Sequence, residues 1–303
     1  MTLKQQNNTK SVFVAIIGRP NVGKSSLLNA LIGEKLAIVT SKPQTTRTKI
    51  TGILTKEETQ YVFLDTPGIH QPRTRLGKHM VKAVEESVGD GDVSLMVFEP
   101  YGELTEAEQS LVEELRRTGA PAIAAVNKTD CLKKPQDLAT RIDFLKELGV
   151  FQTVMGVCAA TGDGVPQLLE LCGQYAILGP HYFPEDSYTD LPEKAIVAEL
   201  VREKLLLFLR DELPHGTAVE VERFKEREDG KLVDIDVNIF CEKKSHKGMV
   251  IGKGGAMLKK IATAARQDCE DFLGQKVNLQ CWVKVKTDWR DNEFYLKNFG
   301  FSK

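Results

Sequence analysis

The chain has 303 residues, of which 42% are hydrophobic and 27% are charged, and its formal net charge is −1. These values are typical of a globular protein long enough for two domains, and they exclude a low-complexity chain. No apolar run reaches transmembrane length, and the sequence shows neither a signal segment at its start nor a lipidation signal at its end. We therefore expect a cytoplasmic protein.

Six cysteines are scattered along the chain without the paired spacing of a zinc site. We expect reduced and mostly buried thiols rather than disulfides or metal ligands. They are Cys131, Cys158, Cys172, Cys241, Cys269 and Cys281.

The small net charge conceals an uneven distribution of charge along the chain. Residues 1–199 contain 21 basic and 25 acidic side chains, whereas residues 240–303 contain 13 basic and 7 acidic ones. A basic C-terminal quarter on a nearly neutral chain is typical of proteins that bind a polyanion. Taken alone, the same pattern also fits a solvated basic surface.

The first half of the chain alternates apolar runs with helical patterns, and most of the helical patterns end at glycine. Thr105 and Glu108 form a capping-box pattern at the start of one of them. This alternation predicts an α/β domain with a doubly wound, mostly parallel sheet and an antiparallel hairpin over 48–64 at its edge. The predicted strands are 12–17, 61–64, 93–98, 122–126 and 154–158, and the predicted helices are 25–32, 106–117 and 139–148.

The composition changes at GPHYFPEDSYTDLP, residues 179–192, which is rich in proline and reads as a linker. Beyond it we predict a helix, two strands, a glycine loop, a second helix and a last strand, which together make a small α+β domain. The predicted domains are 11–178 and 195–287, with an N-terminal tail 1–10, a linker 179–194 and a C-terminal tail 288–303.

Residues 18–25, GRPNVGKS, fit the P-loop pattern G-x-x-x-x-G-K-[ST] between a predicted strand and a predicted helix. In such a loop the amides surround the α- and β-phosphates, Lys24 reaches the β- and γ-phosphates, and the Ser25 hydroxyl binds Mg²⁺. A purely structural glycine turn does not account for this setting. The predicted phosphate-binding residues are Gly18, Arg19, Pro20, Asn21, Val22, Gly23, Lys24 and Ser25.

Two further segments complete the predicted phosphate and magnesium site. Asp65 of DTPG directly follows a strand, where its carboxylate meets Mg²⁺, and the amide of Gly68 approaches the γ-phosphate. In QTTRT we prefer Thr46 to Thr45 as the threonine that closes over Mg²⁺. The predicted catalytic residues are Lys24, Thr46, Asp65 and Gly68, the metal ligands are Ser25, Thr46 and Asp65, and Thr66, Pro67 and Ile69 also contact nucleotide.

Residues 127–130, NKTD, indicate which base is bound. The Asp130 carboxylate accepts from two adjacent donors, which guanine offers and adenine does not. VCAATG, residues 157–162, resembles the last GTPase motif, with Cys158 in place of the usual serine. We expect the Ala159 amide to contact the base, and we leave open whether the loop keeps the hydrogen bond that the serine would make. The predicted base-binding residues are Asn127, Lys128, Thr129, Asp130, Cys158, Ala159 and Ala160.

Ile69 follows DTPG where Ras-like enzymes carry a glutamine that orients the attacking water. Because isoleucine cannot hold a water, we expect slow intrinsic hydrolysis. Asn21 matches the potassium-binding position of a GTPase class with the same hydrophobic substitution, and this resemblance implies potassium-stimulated hydrolysis. The alternative is that Asn21 only braces the loop.

The second glycine loop, VIGKGG at 250–255, lacks the K-[ST] pair of a nucleotide loop and is not part of a βαβ unit. It matches the G-x-x-G signature of KH domains, which hold about four nucleotides of a single strand by their backbone. Lysines surround it, which favours RNA; they are Lys243, Lys244, Lys247, Lys253, Lys259 and Lys260. Val250, Ile251 and Leu258 fit the floor of a base groove, although such apolar residues are more often part of the core, and packing of Trp289 against the domain explains it at least as well as RNA contact does. The predicted RNA-binding residues are Lys247, Val250, Ile251, Gly252, Lys253, Gly254, Gly255, Lys259, Lys260, Trp289 and Arg290.

With GRPNVGKS, KPQTTRT, DTPG, NKTD and VIGKGG in this order, the chain resembles the Era family of bacterial GTPases over nearly its whole length. The resemblance implies a P-loop GTPase domain followed by a type II KH domain, with GTP or GDP and Mg²⁺ as ligands. It also implies binding to the 3′ end of small-subunit ribosomal RNA and to the assembling small subunit, with peripheral membrane association. We expect a monomer.

These features together support the hypothesis of a GTP-switched RNA-binding factor in small-subunit assembly. GTP would order the segments around Thr46 and Gly68, and hydrolysis would favour RNA release. One alternative is a non-catalytic module whose RNA binding is gated by nucleotide. Another is a membrane-associated signalling GTPase, although the apolar helix over 195–213 is more typical of a buried core.

Overall fold

The computed structural model describes residues 8–42, 44–68, 74–228 and 230–301, without the side chains of residues 85 and 88. Within this part the chain divides into two compact units. The first contains the described parts of Met1–Ala37, Thr46–Gln71 and Met80–Asp190, and the second those of Ile38–Thr45, Pro72–His79 and Leu191–Lys303. A short segment before Thr46 therefore belongs with the C-terminal part of the chain.

The first unit is built on one sheet with the strand order β2-β3-β1-β4-β5-β6. The hairpin partners β2 and β3 are antiparallel, the other neighbours on this path are parallel, and β7 pairs antiparallel with β1. Every residue of β4 and β5 is buried, as expected for strands covered on both faces. The strands are β1 (Lys10–Ile17), β2 (Ile50–Lys56), β3 (Thr59–Asp65), β4 (Val93–Phe98), β5 (Ala122–Val126), β6 (Thr153–Gly156) and β7 (Ile177–Leu178).

Five helices occur between these strands: α1 (Lys24–Ile32), α2 (Arg75–Asp90), α3 (Glu106–Thr118), α4 (Pro135–Glu147) and α5 (Val165–Gly173). Apolar side chains of α3 and α4 pack with those of β1, β4 and β5 in one core cluster. The predicted capping box is present, because the Glu108 amide donates to the Thr105 hydroxyl and the Thr105 amide donates to the Glu108 carboxylate. The sequence analysis predicts neither α2 nor α5.

Residues 179–190, predicted as a linker, lie against the sheet of the first unit. The Gln60 side chain donates to the Phe183 carbonyl at 2.9 Å, and the Ile53 amide donates to the Tyr188 carbonyl at 2.8 Å. Proline excludes regular structure from this segment, but its carbonyl groups still satisfy donors of strands β2 and β3.

The second unit has a three-stranded sheet with the order β10-β9-β8, in which β10 is parallel to β9 and β8 is antiparallel to it. Apolar side chains of α6, α8 and β9 share one core cluster. The elements are α6 (Glu193–Phe208), β8 (Thr217–Glu226), β9 (Leu232–Cys241), α7 (Lys244–Ile251), α8 (Ala256–Leu273), β10 (Lys276–Val285) and α9 (Glu293–Asn298).

Two elements of this unit differ from the prediction. The stretch before the second glycine loop, for which no helix is predicted, is helix α7, so the loop joins two helices. The C-terminal segment, predicted as a tail, contains α9, whose first turn is capped by the Asn292 side chain.

Helix α6 is a core helix. Val201 and Leu205 are fully buried and Leu209 is 4% exposed, which agrees with the core interpretation rather than with membrane contact. In the part of the chain that the structure describes, no helix is both long and apolar enough to cross a membrane.

Candidate nucleotide and RNA sites

The first glycine loop runs from the end of β1 to the start of α1, and its glycines are required by close backbone packing. A Cβ at Gly18 would lie 2.6 Å from the Val97 carbonyl oxygen, and one at Gly23 would lie 2.3 Å from Nδ2 of Asn127. Both glycines also have positive φ, at +146° and +95°. The loop therefore has the tight conformation in which amides can face an anion.

Lys24 lies at the first position of α1 with its side chain almost completely buried. Its Nζ donates to the carbonyls of Gly18 and Arg19 at 3.0 Å each. Burial lowers the pKa of Lys24 to about 8, although the negative charge of Asp65 acts in the opposite direction. The ammonium thus lies across the glycine loop, where phosphate oxygens would replace the two carbonyls.

Three oxygen-bearing side chains converge beside Lys24. The Ser25 hydroxyl donates to Oδ2 of Asp65 at 2.7 Å and lies 2.8 Å from the Thr46 hydroxyl oxygen. Asp65 is fully buried, and its Oδ1 has no hydrogen-bond partner among the described residues. Burial raises the pKa of Asp65 to about 6, against the opposing effects of Lys24 and of the hydroxyl hydrogen bonds. A hard cation such as Mg²⁺ fits this oxygen set and would satisfy the orphaned carboxylate oxygen.

The structure places Thr46, and not Thr45, beside Ser25. The Thr45 hydroxyl donates instead to the Lys42 carbonyl at 2.7 Å. Gly68 lies against the P-loop, since a Cβ there would lie 2.7 Å from Cα of Pro20. The neighbouring Thr66 is fully buried and Pro67 is also buried. Ile69, to which the sequence analysis assigns the slow hydrolysis, lies outside the described residues.

Asn127 connects the glycine loop to the last GTPase motif. Its Nδ2 donates to the Val22 carbonyl at 2.9 Å, and its Oδ1 accepts from the Ala159 amide at 3.0 Å. Thr129 also contacts the last motif, through a 3.2 Å bond to the Val157 carbonyl. These bonds connect the segment after β5 to the P-loop and to the segment after β6, so the predicted base-binding residues lie together.

The Cys158 side chain makes the contact that the sequence analysis leaves open. Its Sγ donates to Oδ1 of Asp130 at 3.1 Å, and the residue is 1% exposed, whereas Asp130 itself is exposed. A thiol therefore takes the bracing position of the usual serine. Ala160, the next predicted residue of the loop, is also exposed.

Two acidic side chains beside the P-loop are absent from the predicted site. Arg19 pairs with Glu99 and with Glu108, the latter at 3.3 Å. Lys128 donates to the Asn21 carbonyl and to Glu99, both at 2.6 Å. Glutamates far away in sequence give no local signal of such pairing. The predicted potassium role of Asn21, a residue with a φ of +64°, stays a prediction.

The second glycine loop is accessible. Lys253 and Gly254 are exposed, and Gly252 and Gly255 are partly exposed. A Cβ at Gly252 would lie 2.7 Å from Cβ of Met257, and all three glycines of the loop have positive φ. The loop leads directly into α8, an 18-residue helix without an acidic residue in its first turn. An unobstructed helix N-terminus of this kind attracts phosphate.

Lysine side chains on α7, on the loop and on α8 make this surface cationic. The six lysines that surround the loop in the sequence are all exposed. Nζ of Lys260 lies 4.3 Å from the centroid of the Phe208 ring. Ile251 is partly exposed beside the loop. The cationic surface thus belongs to one continuous stretch of chain, which contains Lys243, Lys244, Lys247, Lys253, Lys259 and Lys260.

Two predicted RNA-binding residues require correction. Trp289 is fully buried, its Nε1 donates to the Gly216 carbonyl at 3.0 Å, and its ring lies 5.9 Å from that of Phe301. Val250 is also fully buried. The prediction that these side chains contact RNA is therefore wrong, because neither is accessible. Arg290 is partly exposed and forms a bidentate pair with Glu242 at 2.9 and 2.7 Å.

Two protein-family models match the chain. Residues 13–128 match the 50S ribosome-binding GTPase family, and residues 212–290 match the KH domain. These matches contain the P-loop, DTPG and the first part of NKTD in one case, and the glycine loop between α7 and α8 in the other.

Similar proteins match over nearly the full length. GTPase Era of Clostridioides difficile (strain 630) is 46% identical over 97% of this chain and 99% of its own length. GTPase Era of Caldanaerobacter subterraneus subsp. tengcongensis is 48% identical, with coverages of 96% and 97%.

Two solved structures are similar at a TM-score of 0.93 and 34% identity, and each match covers 97% of this chain and 100% of the other. One is Era in complex with MgGDPNP and nucleotides 1506–1542 of 16S ribosomal RNA, and the other is a variant of Aquifex aeolicus Era bound to GDP·AlF4⁻. This similarity confirms the predicted P-loop GTPase fold followed by a KH domain.

Proposed function

Because this chain belongs to the GTPase Era family, we propose that it is a GTP-hydrolysing, RNA-binding factor of small ribosomal subunit assembly. The observation that carries this proposal is the presence of two separate glycine loops that each open a helix, one before α1 and one before α8. The first adjoins a buried lysine and a buried carboxylate, whereas the second adjoins exposed lysines. Each loop therefore suits a different anion.

The first loop binds the phosphates of GTP or GDP. Lys24 turns from its two carbonyl partners towards the β- and γ-phosphates, and Ser25, Thr46 and Asp65 hold Mg²⁺. The metal supplies positive charge that neutralises charge developing on the phosphates. The Asp130 carboxylate, oriented by Cys158, selects guanine.

The second loop binds RNA. Amides around Gly254 receive the backbone phosphates of a single strand, and Lys247, Lys253, Lys259 and Lys260 add favourable charge. The Era structure similar to this chain contains nucleotides 1506–1542 of 16S ribosomal RNA. By that similarity, the RNA partner is the 3′ end of small-subunit ribosomal RNA, and the place of action is the cytoplasm.

The nucleotide acts as a switch for RNA binding. GTP favours the arrangement in which Thr46 and Gly68 face the γ-phosphate, and hydrolysis removes the contact that holds them there. Hydrolysis is slow without an activator, and potassium beside Asn21 stimulates it.

A charge-reversal experiment tests the RNA assignment. Lys253→Glu in the full-length protein should reduce affinity for an oligonucleotide of the small-subunit rRNA 3′ end by at least about tenfold and should leave GDP affinity unchanged. The matched control is Lys194→Glu, because Lys194 is exposed in the first turn of α6, outside the lysine cluster. Equal RNA binding by both variants would contradict the assignment.

Single-turnover hydrolysis separates an enzyme from a module that only binds nucleotide. We expect GTP cleavage that is faster in potassium than in sodium and that is lost in Asp65→Asn. Absence of cleavage in both salts, with GTP still bound, would favour the non-catalytic alternative. Binding to anionic vesicles in place of RNA would favour the signalling alternative.

A further inference from the structure

Helix α6 contains three consecutive charged residues that are all buried. Arg202, Glu203 and Lys204 are 2%, 3% and 8% exposed, in a helix that is otherwise part of an apolar core. Since a buried charge is costly without partners, each of the three requires polar contacts. Glu203 pairs with Lys204 at 2.9 Å, and Arg202 pairs with Glu199 one turn earlier in the helix.

Two of these residues hold the chain segment that precedes Thr46. Arg202 Nη2 donates to the Thr45 carbonyl, and Glu203 Oε1 accepts from the Val39 amide at 3.0 Å. Lys42, between these contact points, donates to the Leu209 carbonyl at the end of α6. The segment 38–45 is thus bound to α6 at both of its ends and in its middle.

The segment leads directly to the nucleotide site. Thr46 follows Thr45, and its hydroxyl oxygen lies 2.8 Å from Oγ of Ser25. A hydrogen bond to the Thr45 carbonyl restrains the peptide unit that joins these two threonines, because that unit is planar. Arg202 therefore restrains the backbone from which the Thr46 hydroxyl projects.

The third residue of the triplet connects α6 to α8. Lys204 Nζ donates to Glu203 Oε2 at 2.9 Å and to Asp268 Oδ2 at 2.5 Å. Asp268 belongs to α8, the helix that begins at the RNA-binding glycine loop. A continuous series of buried and partly buried contacts thus runs from the Val39 amide through Glu203 and Lys204 to Asp268.

We propose that the Arg202–Glu203–Lys204 triplet couples the GTP site to the RNA site by positioning the segment 38–45 and α8 together. This inference rests on the function proposed above. When the segment leaves its nucleotide-bound position, Arg202 and Glu203 lose the Thr45 and Val39 backbone groups and retain Glu199 and Lys204. Glu203 then interacts more strongly with Lys204, which weakens the contact of Lys204 with Asp268. Coupling of this kind is reciprocal, so RNA raises GTP affinity by the same factor by which GTP raises RNA affinity.

The test measures the ratio of RNA affinities in GDPNP and in GDP, with full-length protein and an oligonucleotide of the small-subunit rRNA 3′ end. Coupling free energies of the usual size predict a ratio of about 5–150 for the unchanged protein. In Lys204→Met/Asp268→Leu, which replaces the ion pair with apolar side chains, the ratio should fall to within about twofold of one. Asp268→Asn is a second variant, for use if the double variant does not fold, because asparagine is nearly equal to aspartate in shape. It should also lower the ratio of RNA affinities.

Asp271→Asn is the matched control, because Asp271 is an exposed acid on the same helix. It should keep the ratio of the unchanged protein. A folded Asp268→Asn or double variant with an unaltered ratio would overturn the inference alone, whereas a ratio of one in the unchanged protein would overturn both the inference and the nucleotide switch of the proposed function. If the unchanged protein does not bind RNA, or does not bind GTP, that result would instead contradict the proposed function.

Discussion

Replacement of Cys158 by alanine should weaken GTP binding, because it removes a donor from the carboxylate that selects guanine. Sγ of Cys158 lies 3.1 Å from Oδ1 of Asp130 and is shielded from solvent, whereas Asp130 is exposed. Without the thiol, the Asp130 side chain gains rotational freedom in the free protein. Guanine binding must then restrict that freedom.

The usual strength of such a hydrogen bond gives the size of this effect. A hydrogen bond to a charged group contributes about 1.5–3 kcal/mol, and a thiol is a weaker donor than a hydroxyl. We therefore expect Cys158→Ala to cost about 1 kcal/mol, or about a fivefold increase in the Kd for GTP. Cys158→Ser restores a stronger donor and should bind GTP at least as tightly as the unchanged protein.

Calorimetric titration with GDP and with inosine diphosphate measures the effect. Inosine lacks the exocyclic amine that Asp130 accepts, so the loss in Cys158→Ala should be smaller for the inosine nucleotide. Cys131→Ala is the control, because Cys131 is exposed and its Sγ lies 3.9 Å from Asp130. Unchanged GDP affinity in Cys158→Ala, or an equal loss in Cys131→Ala, would refute the reasoning.

Three further predictions concern the glycine loop, its lysine and the second unit. Gly23→Ala should abolish GDP binding in a folded protein, because the new Cβ would lie 2.3 Å from Nδ2 of Asn127; equilibrium dialysis with a thermal melt checks this, and retained binding would contradict it. Burial lowers the pKa of Lys24 to about 8, so Lys24 loses its proton as the pH rises through that value. GDP affinity should therefore fall between about pH 7 and about pH 9, more than guanosine affinity does, and equal profiles would argue against the lysine–phosphate contact. Trp289→Ala should lower the free energy of unfolding by about 3–5 kcal/mol, because the indole is fully buried; urea unfolding measures this, and an unchanged midpoint would count against it.

The nucleotide site could be predicted from the sequence because its geometry depends on short local motifs. Gly18 and Gly23 are spaced as the P-loop requires, and a Cβ would collide with Val97 of β4 in the first case and with Asn127, just after β5, in the second. Asp65 ends a strand, so its carboxylate reaches the end of the sheet where the phosphates lie. Local spacing thus specifies both the motif and its place in the fold.

Helix α7 could not be predicted in the same way. Its sequence, KSHKGMVI, contains an internal glycine and groups its three apolar residues at one end. A helical period is therefore not visible in so short a segment.

The buried charges of α6 and the position of Trp289 depend on contacts between distant residues. Arg202 and Glu203 are buried because the segment 38–45 packs with them, about 160 residues away in sequence. Trp289 is buried because Gly216 provides a carbonyl acceptor for its indole. No local pattern in the sequence predicts contacts between residues so far apart.

The claim that two separate glycine loops bind two different anions is tested most directly by measuring both ligands with both loop variants. Gly23→Ala should lose GDP and still bind the rRNA oligonucleotide, while Lys253→Glu should lose the oligonucleotide and bind GDP as the unchanged protein does. Each ligand is measured in the absence of the other, so that coupling between the sites does not contribute. If either variant, shown to be folded, then loses both ligands, the two loops do not bind separately and the claim is contradicted.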